Sequence, residues 1–182
     1  MINPTEAAHA LEEIDVARAR SSIFSGYAYS APWFVLWGVV WLIANCLTDL
    51  LPHMGGRIWA IATPIGVLGS IALAFRPSPV TAHRRAWQSL ATSAVGFAFV
   101  FAAFFILRPQ SGAQINAFIS VFVASAYMLQ GIWRGWRIFA LGLALAVATI
   151  GGYVYLGAHY ALWMGVVGGG ALILGGLWLR TA

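Results

Sequence analysis

From about residue 33 onward, polar positions along the chain are scarce and bunched, and the oily stretches between them are of similar length. Arginine marks the breaks, because a guanidinium at the bilayer centre costs about 3 kcal/mol on insertion scales and so settles in or near water. Between Arg57 and Arg76 lie 18 uncharged residues, between Arg85 and Arg108 there are 22, and between Arg108 and Arg134 there are 25. Each gap fits one spanning helix. The 42 uncharged residues between Arg137 and Arg180 are too many for one span, since a single helix of that length would run about 63 Å, twice the hydrocarbon thickness. That segment is expected to be a hairpin turning at Gly157-Ala158-His159, where a helix breaker and an ionisable ring interrupt the run.

The first span is expected to begin at Trp33, just after Pro32, and to close at Leu51 before Pro52 and the Gly55-Gly56 pair. The pattern therefore predicts an all-α polytopic membrane protein with six transmembrane helices in three helical hairpins. Their approximate spans are residues 33–51, 58–75, 87–107, 115–133, 138–156 and 160–179, which form a domain over 31–182. No polar and apolar alternation with a period of two runs over the ten-residue segments that a barrel needs.

Residues 1–30 read differently. Asn3-Pro4-Thr5-Glu6 has the form of a helix start, and Ala7, Leu11 and Ile14 recur at helical spacing opposite an acidic face. This cytoplasmic amphipathic helix, residues 3–20, is a candidate docking surface for a protein partner. Four carboxylates against Arg18 and Arg20 leave it net acidic, which disfavours an anionic membrane surface. It contains no apolar core of a signal peptide, so the first span is expected to direct insertion.

Composition agrees with the pattern: 61% of residues are hydrophobic and 8% charged, with mean hydropathy +0.83. Fifteen charges are too few to coat a water-soluble domain of this size. Charge also sets orientation. With the N-terminus cytoplasmic, that side holds Arg18, Arg20, Arg76, Arg84, Arg85, Arg134, Arg137 and Arg180, and the other side only Arg57 and Arg108. That is a positive-inside bias with both termini cytoplasmic. Arginine in place of every lysine points to a GC-rich bacterial genome, hence to a bacterial inner membrane. The basic charge lies at membrane edges, so lipid headgroups rather than nucleic acid are its expected partners, with His83, Arg84, Arg85, Arg134 and Arg137 as headgroup contacts.

Packing signals outnumber chemical ones. Gly165, Gly168, Gly169 and Gly170 form a small-residue face that lets another helix approach, within the chain or in a homo-oligomer. Ser89, Thr92, Ser93 and Gly96 on the third span, and Asn116, Ser120 and Ala124 on the fourth, make small polar faces. Trp37, Trp41, Asn45 and Asp49 follow one another at intervals of four, a stripe along the first span. Asp49 is the only carboxylate after the N-terminal segment, and an ionisable group near membrane depth is a candidate polar or ion site, with Asn45 and Trp41 beside it. His53, Met54 and His159 share the outer side as metal candidates, without the HxxxH or CxxC spacing that gathers ligands locally.

There is no P-loop, dinucleotide fingerprint, GxSxG elbow or zincin motif, and the residues for acid-base or covalent catalysis are nearly absent. No enzymatic activity and no cofactor are expected. The remaining expectation is a membrane component acting by contact, as an accessory, assembly or sensor subunit. Its alternative is a small-solute or ion channel or transporter using the Asp49 stripe and the polar faces of the third and fourth helices.

Overall fold

The computed structural model describes residues 4–75 and 82–181, with side chains at 13, 14, 27, 29–75 and 91–181. The described residues form helices and no strand. Helix α1 (Pro4–Leu50) is followed by a single 3-10 turn (Pro52–Met54) and α2 (Gly55–Ala74). Then come α3 (Ala82–Leu107), α4 (Gly112–Arg134) and α5 (Trp136–Tyr155). A second 3-10 turn (Gly157–His159) leads to a last helix, residues 160–180, made of α6 (Tyr160–Trp163), a π-helical stretch (Met164–Gly169) and α7 (Gly170–Arg180).

Among the described residues, five segments are long and apolar enough to cross a membrane: Tyr29–Leu50, Pro52–Ala74, Gly112–Arg134, Trp136–Tyr155 and Gly157–Arg180. The described apolar part of α3, Ala91–Leu107, is shorter. The expected turn at 157–159 is present, with Gly157 in the left-handed region at φ +50°.

The first apolar segment begins at Tyr29, one turn before the expected Trp33. Pro32 does not open a helix; it lies inside α1, which runs 47 residues without a break. Proline removes one backbone hydrogen bond, but in an apolar setting the helix is the one conformation that satisfies the remaining groups, so the chain continues through it. The expected separation of residues 1–30 from the rest is therefore not a break in secondary structure. Tyr27, on the N-terminal side of Pro32, is buried in the core of the bundle.

That core sits among α1, α4, α5 and the last helix. The last helix runs antiparallel along α1, and glycine sets the spacing. A Cβ added at Gly169 would stand 2.7 Å from Leu42 N and 2.8 Å from Gly38 O, and one at Gly165 would be 2.9 Å from Cys46 Sγ. Helices α4 and α5 are joined by one residue, Gly135, whose φ of +127° turns the chain back on itself. Backbones touch there too: a Cβ at Gly142 would be 2.7 Å from Ala124 O and 2.8 Å from Met128 N.

Two helices are peripheral. On α2, Gly66 abuts the Trp37 ring and Ser70 Oγ accepts a hydrogen bond from Trp37 Nε1 at 3.0 Å. Helix α3 meets α4 through phenylalanine, with Phe99 stacked on Phe122 and Phe118 at centroid distances of 5.5 and 6.4 Å. Its remaining face, including Val95, Phe97, Phe101, Phe105 and Ile106, is exposed. An exposed apolar helix face of this kind suits lipid rather than water. The closest backbone approaches thus lie between α4 and α5 and between α1 and the last helix.

Candidate polar site

Because α1 is surrounded by α2, α4 and the last helix, the inward side of its i, i+4 stripe is dry. Trp41 and Asn45 are buried, Asn45 completely. The Asn45 Nδ2 donates to the Trp41 carbonyl of its own helix at 3.0 Å, and Asn45 Oδ1 accepts from Asn116 Nδ2 across to α4. One turn along α4, Ser120 Oγ donates to Asn116 Oδ1 at 3.2 Å. The asparagine and the serine can both point inward because residues 116 and 120 lie one above the other on a helix.

Tyr160, on the first turn of α6, closes the cluster. It is 2% exposed, its ring meets Tyr153 edge-on at 5.7 Å, and its hydroxyl is turned toward Ser120 without completing a hydrogen bond to any protein group. A buried hydroxyl in that condition costs about 1 to 3 kcal/mol relative to a satisfied one. Thr149 of α5, also fully buried, is self-satisfied, donating to the Leu145 carbonyl at 2.7 Å.

The site is neutral. Asp49 is not part of it: its Oδ1 accepts from the backbone N–H of Leu162 at 3.3 Å. Leu162 is the third residue of the last helix, whose first N–H groups have no intrahelical acceptor, so Asp49 caps that helix from α1 and complements its dipole. The stripe thus divides by contact, with Trp41 and Asn45 in the buried node and Asp49 at the helix start.

The cluster also has a floor. From Trp41 toward the Arg137 end, the buried residues Ala124, Met164, Leu145, Leu172, Phe34, Ile138, Leu179 and Ala31 are apolar. Among the described residues, the amide and hydroxyl hydrogen bonds of this node lie near the Asp49 end, while farther along the core Tyr127, packed on Phe34 at 4.6 Å, and the buried Tyr27 bring further hydroxyls among the apolar groups.

The small polar faces of the third and fourth spans differ in exposure where they are described, the side chain of Ser89 lying outside the described residues. Asn116 and Ser120 face α1, whereas Thr92 and Ser93 on α3 are exposed. The reason is that α3 docks through Gly96, where an added Cβ would be 3.3 Å from Phe122, and through its phenylalanines.

Among the glycines, Gly165 and Gly169 press on α1, and Gly168 lies against Met164 with an added Cβ at 3.0 Å. Gly170 faces open space, with nothing within 4 Å. His53 and His159 are exposed in the two turns at the Asp49 end, and Met54 is half-buried. Among the described residues, no three His, Cys, Asp or Glu side chains come together. The side chains of His83, Arg84 and Arg85, and most of those in residues 3–20, lie outside the described ones; Glu13 and Ile14 are exposed.

At the other end, Arg134 is exposed and Arg137 is clamped. Its guanidinium lies 4.8 Å from the Trp178 ring and 5.8 Å from the Tyr27 ring, and its Nη1 donates to the Trp178 carbonyl at 3.3 Å. The Tyr27 hydroxyl sits where a Cβ on Gly135 would be, so α1 wedges into the α4–α5 turn.

Tyr160, Thr149 and Tyr27 were not anticipated from the sequence. A tyrosine beside a turn reads as an interfacial anchor, and nothing in its spacing marks Tyr160 as inward-facing. Comparison with models of known families, with curated proteins and with solved structures returns no match for this chain.

Proposed function

We propose that the chain is a six-span protein of a bacterial inner membrane, with both termini cytoplasmic, that works without catalysis as an accessory, assembly or sensor subunit. The carrying observation is α1. At 1.5 Å per residue its 47 residues extend about 70 Å, more than twice the hydrocarbon thickness. Its membrane part, Tyr29–Leu50, runs through the core, and the same rod continues as the net-acidic arm that begins at Pro4. A partner held by the arm is thereby connected through one continuous helix to the core of the bundle.

The distribution of arginine supports the orientation. Arg134, Arg137 and Arg180 lie at the end from which the arm leaves, and Arg57 and Arg108 at the Asp49 end, in accord with the positive-inside rule. Helix α3 is taken as the sixth span, its apolar part lengthened by the turns before Ala91.

The test is affinity purification of the intact protein from mild detergent beside a variant lacking residues 4–20. A stoichiometric partner recovered with the first and lost with the second supports contact through the arm. Recovery of the same partner with both refutes it. The buried node near Asp49 favours one rival, a small-solute or ion pathway. In proteoliposomes that rival predicts flux abolished by Asp49→Asn, whereas the contact reading predicts none to abolish.

A further inference from the structure

We propose that the crevice between α1 and α2 at the arginine-rich end binds an anionic phospholipid, with its phosphate on Arg180 and an acyl chain along the apolar walls. The groove measures about 350 Å³ and is lined by Pro32, Val35 and Leu36 of α1, Gly69 and Leu73 of α2, and Arg180 of α7.

Two glycines build it. Gly69 has no side chain to cover Leu36, and a Cβ there would stand 2.9 Å from Leu36 Cδ2. Gly176, one turn before Arg180, lets α7 close onto α1, where an added Cβ would be 2.8 Å from Val35 and 2.9 Å from Ala31 O. That contact carries the guanidinium to the mouth of the crevice. The walls are hydrocarbon, suited to an acyl chain, and among the described residues Arg180 is the one charge lining the groove.

Charge complementarity names the headgroup. Among the described residues, no side-chain carboxylate lines this mouth. Asp49 is at the opposite end, capping the last helix. The other described one, Glu13, lies 19 residues along α1 from Pro32, about 28 Å at 1.5 Å per residue. The neighbouring Arg137 differs, since its guanidinium is held between Tyr27 and Trp178. A phosphate diester with net negative charge supplies what Arg180 lacks; a zwitterionic headgroup does so less well because its own cation competes.

Native mass spectrometry of the intact protein in detergent, titrated with phosphatidylglycerol and with phosphatidylcholine of identical acyl chains, tests this. Wild type should retain one phosphatidylglycerol with an apparent affinity about fivefold above phosphatidylcholine, the factor expected for one arginine at a membrane surface. Arg180→Gln should abolish that preference, Arg180→Lys should keep most of it, and Arg134→Gln should leave it unchanged. Leu73→Trp, which fills the groove, should weaken both lipids; Val35→Phe closes it from the α1 wall if Leu73→Trp does not fold. Preference that survives Arg180→Gln, equal loss in Arg134→Gln, or undiminished binding in the groove-filled variant overturns the proposal.

Discussion

Cutting the contact between Asn45 and Asn116 gives the sharpest test of the buried node. In Asn116→Ala, Asn45 Oδ1 and Ser120 Oγ both lose their partner. Asn45 is fully buried, so water cannot replace the missing bond without opening the bundle. An interhelical hydrogen bond in a membrane contributes about 0.6 kcal/mol on average and up to about 1.7. Orphaning a buried polar group adds about 1 to 3 kcal/mol. A loss of about 2 kcal/mol is expected for Asn116→Ala, and a similar one for Asn45→Ala, where the orphan is Asn116 Nδ2. In the double variant no orphaned amide remains from this pair, so the combined loss should fall short of the sum by about 1 kcal/mol. Equilibrium unfolding in mixed micelles at fixed detergent fraction, followed by circular dichroism across the four proteins, reads these values. Additivity within about 0.5 kcal/mol would refute the node, because sites that share a bond couple by more than that.

Three further outcomes follow from the packing. Gly169→Val should destabilise the protein by more than about 2 kcal/mol, because its Cβ meets the immobile backbone of Leu42 and Gly38; Gly170→Ala, with open space around it, should be neutral or gain up to about 1 kcal/mol from helix propensity, and thermal unfolding distinguishes the two. Arg137→Leu should cost about 1 kcal/mol by removing two ring contacts, and hydrogen exchange should then rise at the α4–α5 turn and at Tyr27. Asp49→Asn keeps an acceptor for the Leu162 N–H and should melt within a degree or two of wild type, whereas Asp49→Leu should lose about 1 kcal/mol, the value of a helix cap.

The membrane segments were legible because one energetic rule dominates them: arginine avoids hydrocarbon, so its spacing reports span length. The same rule says nothing about Pro32, where the preference of a proline for helix starts competes with the demand that every backbone group in an apolar layer be satisfied, and the second wins. Helix partners were legible only where small residues cluster. The Gly165–Gly169 pair stood out, but Gly38, Gly131 and Gly142, which have no glycine beside them in the sequence, are equally close to a neighbouring backbone or side chain, whereas Gly56 and Gly151, each next to another glycine, touch nothing within 4 Å.

Polar residues divide in the same manner. Asn45, Asn116 and Ser120 could be picked out because an amide or hydroxyl within an apolar run needs a partner, and i, i+4 spacing says that two of them share a face. Their meeting across α1 and α4 depends on which sides of those helices turn inward, a property of the whole bundle. Asp49 makes a contact that its sequence position did not announce, accepting from the Leu162 N–H. Its position one turn beyond Asn45 puts it level with the start of the last helix, and unpaired N–H groups there attract a carboxylate whether or not anything is transported. Helix α1 joins the Tyr27 wedge, the glycine seam with the last helix and the Asn45 node in one continuous helix, so its packing depends on residues from 27 to 45 together and is not readable from any one local spacing.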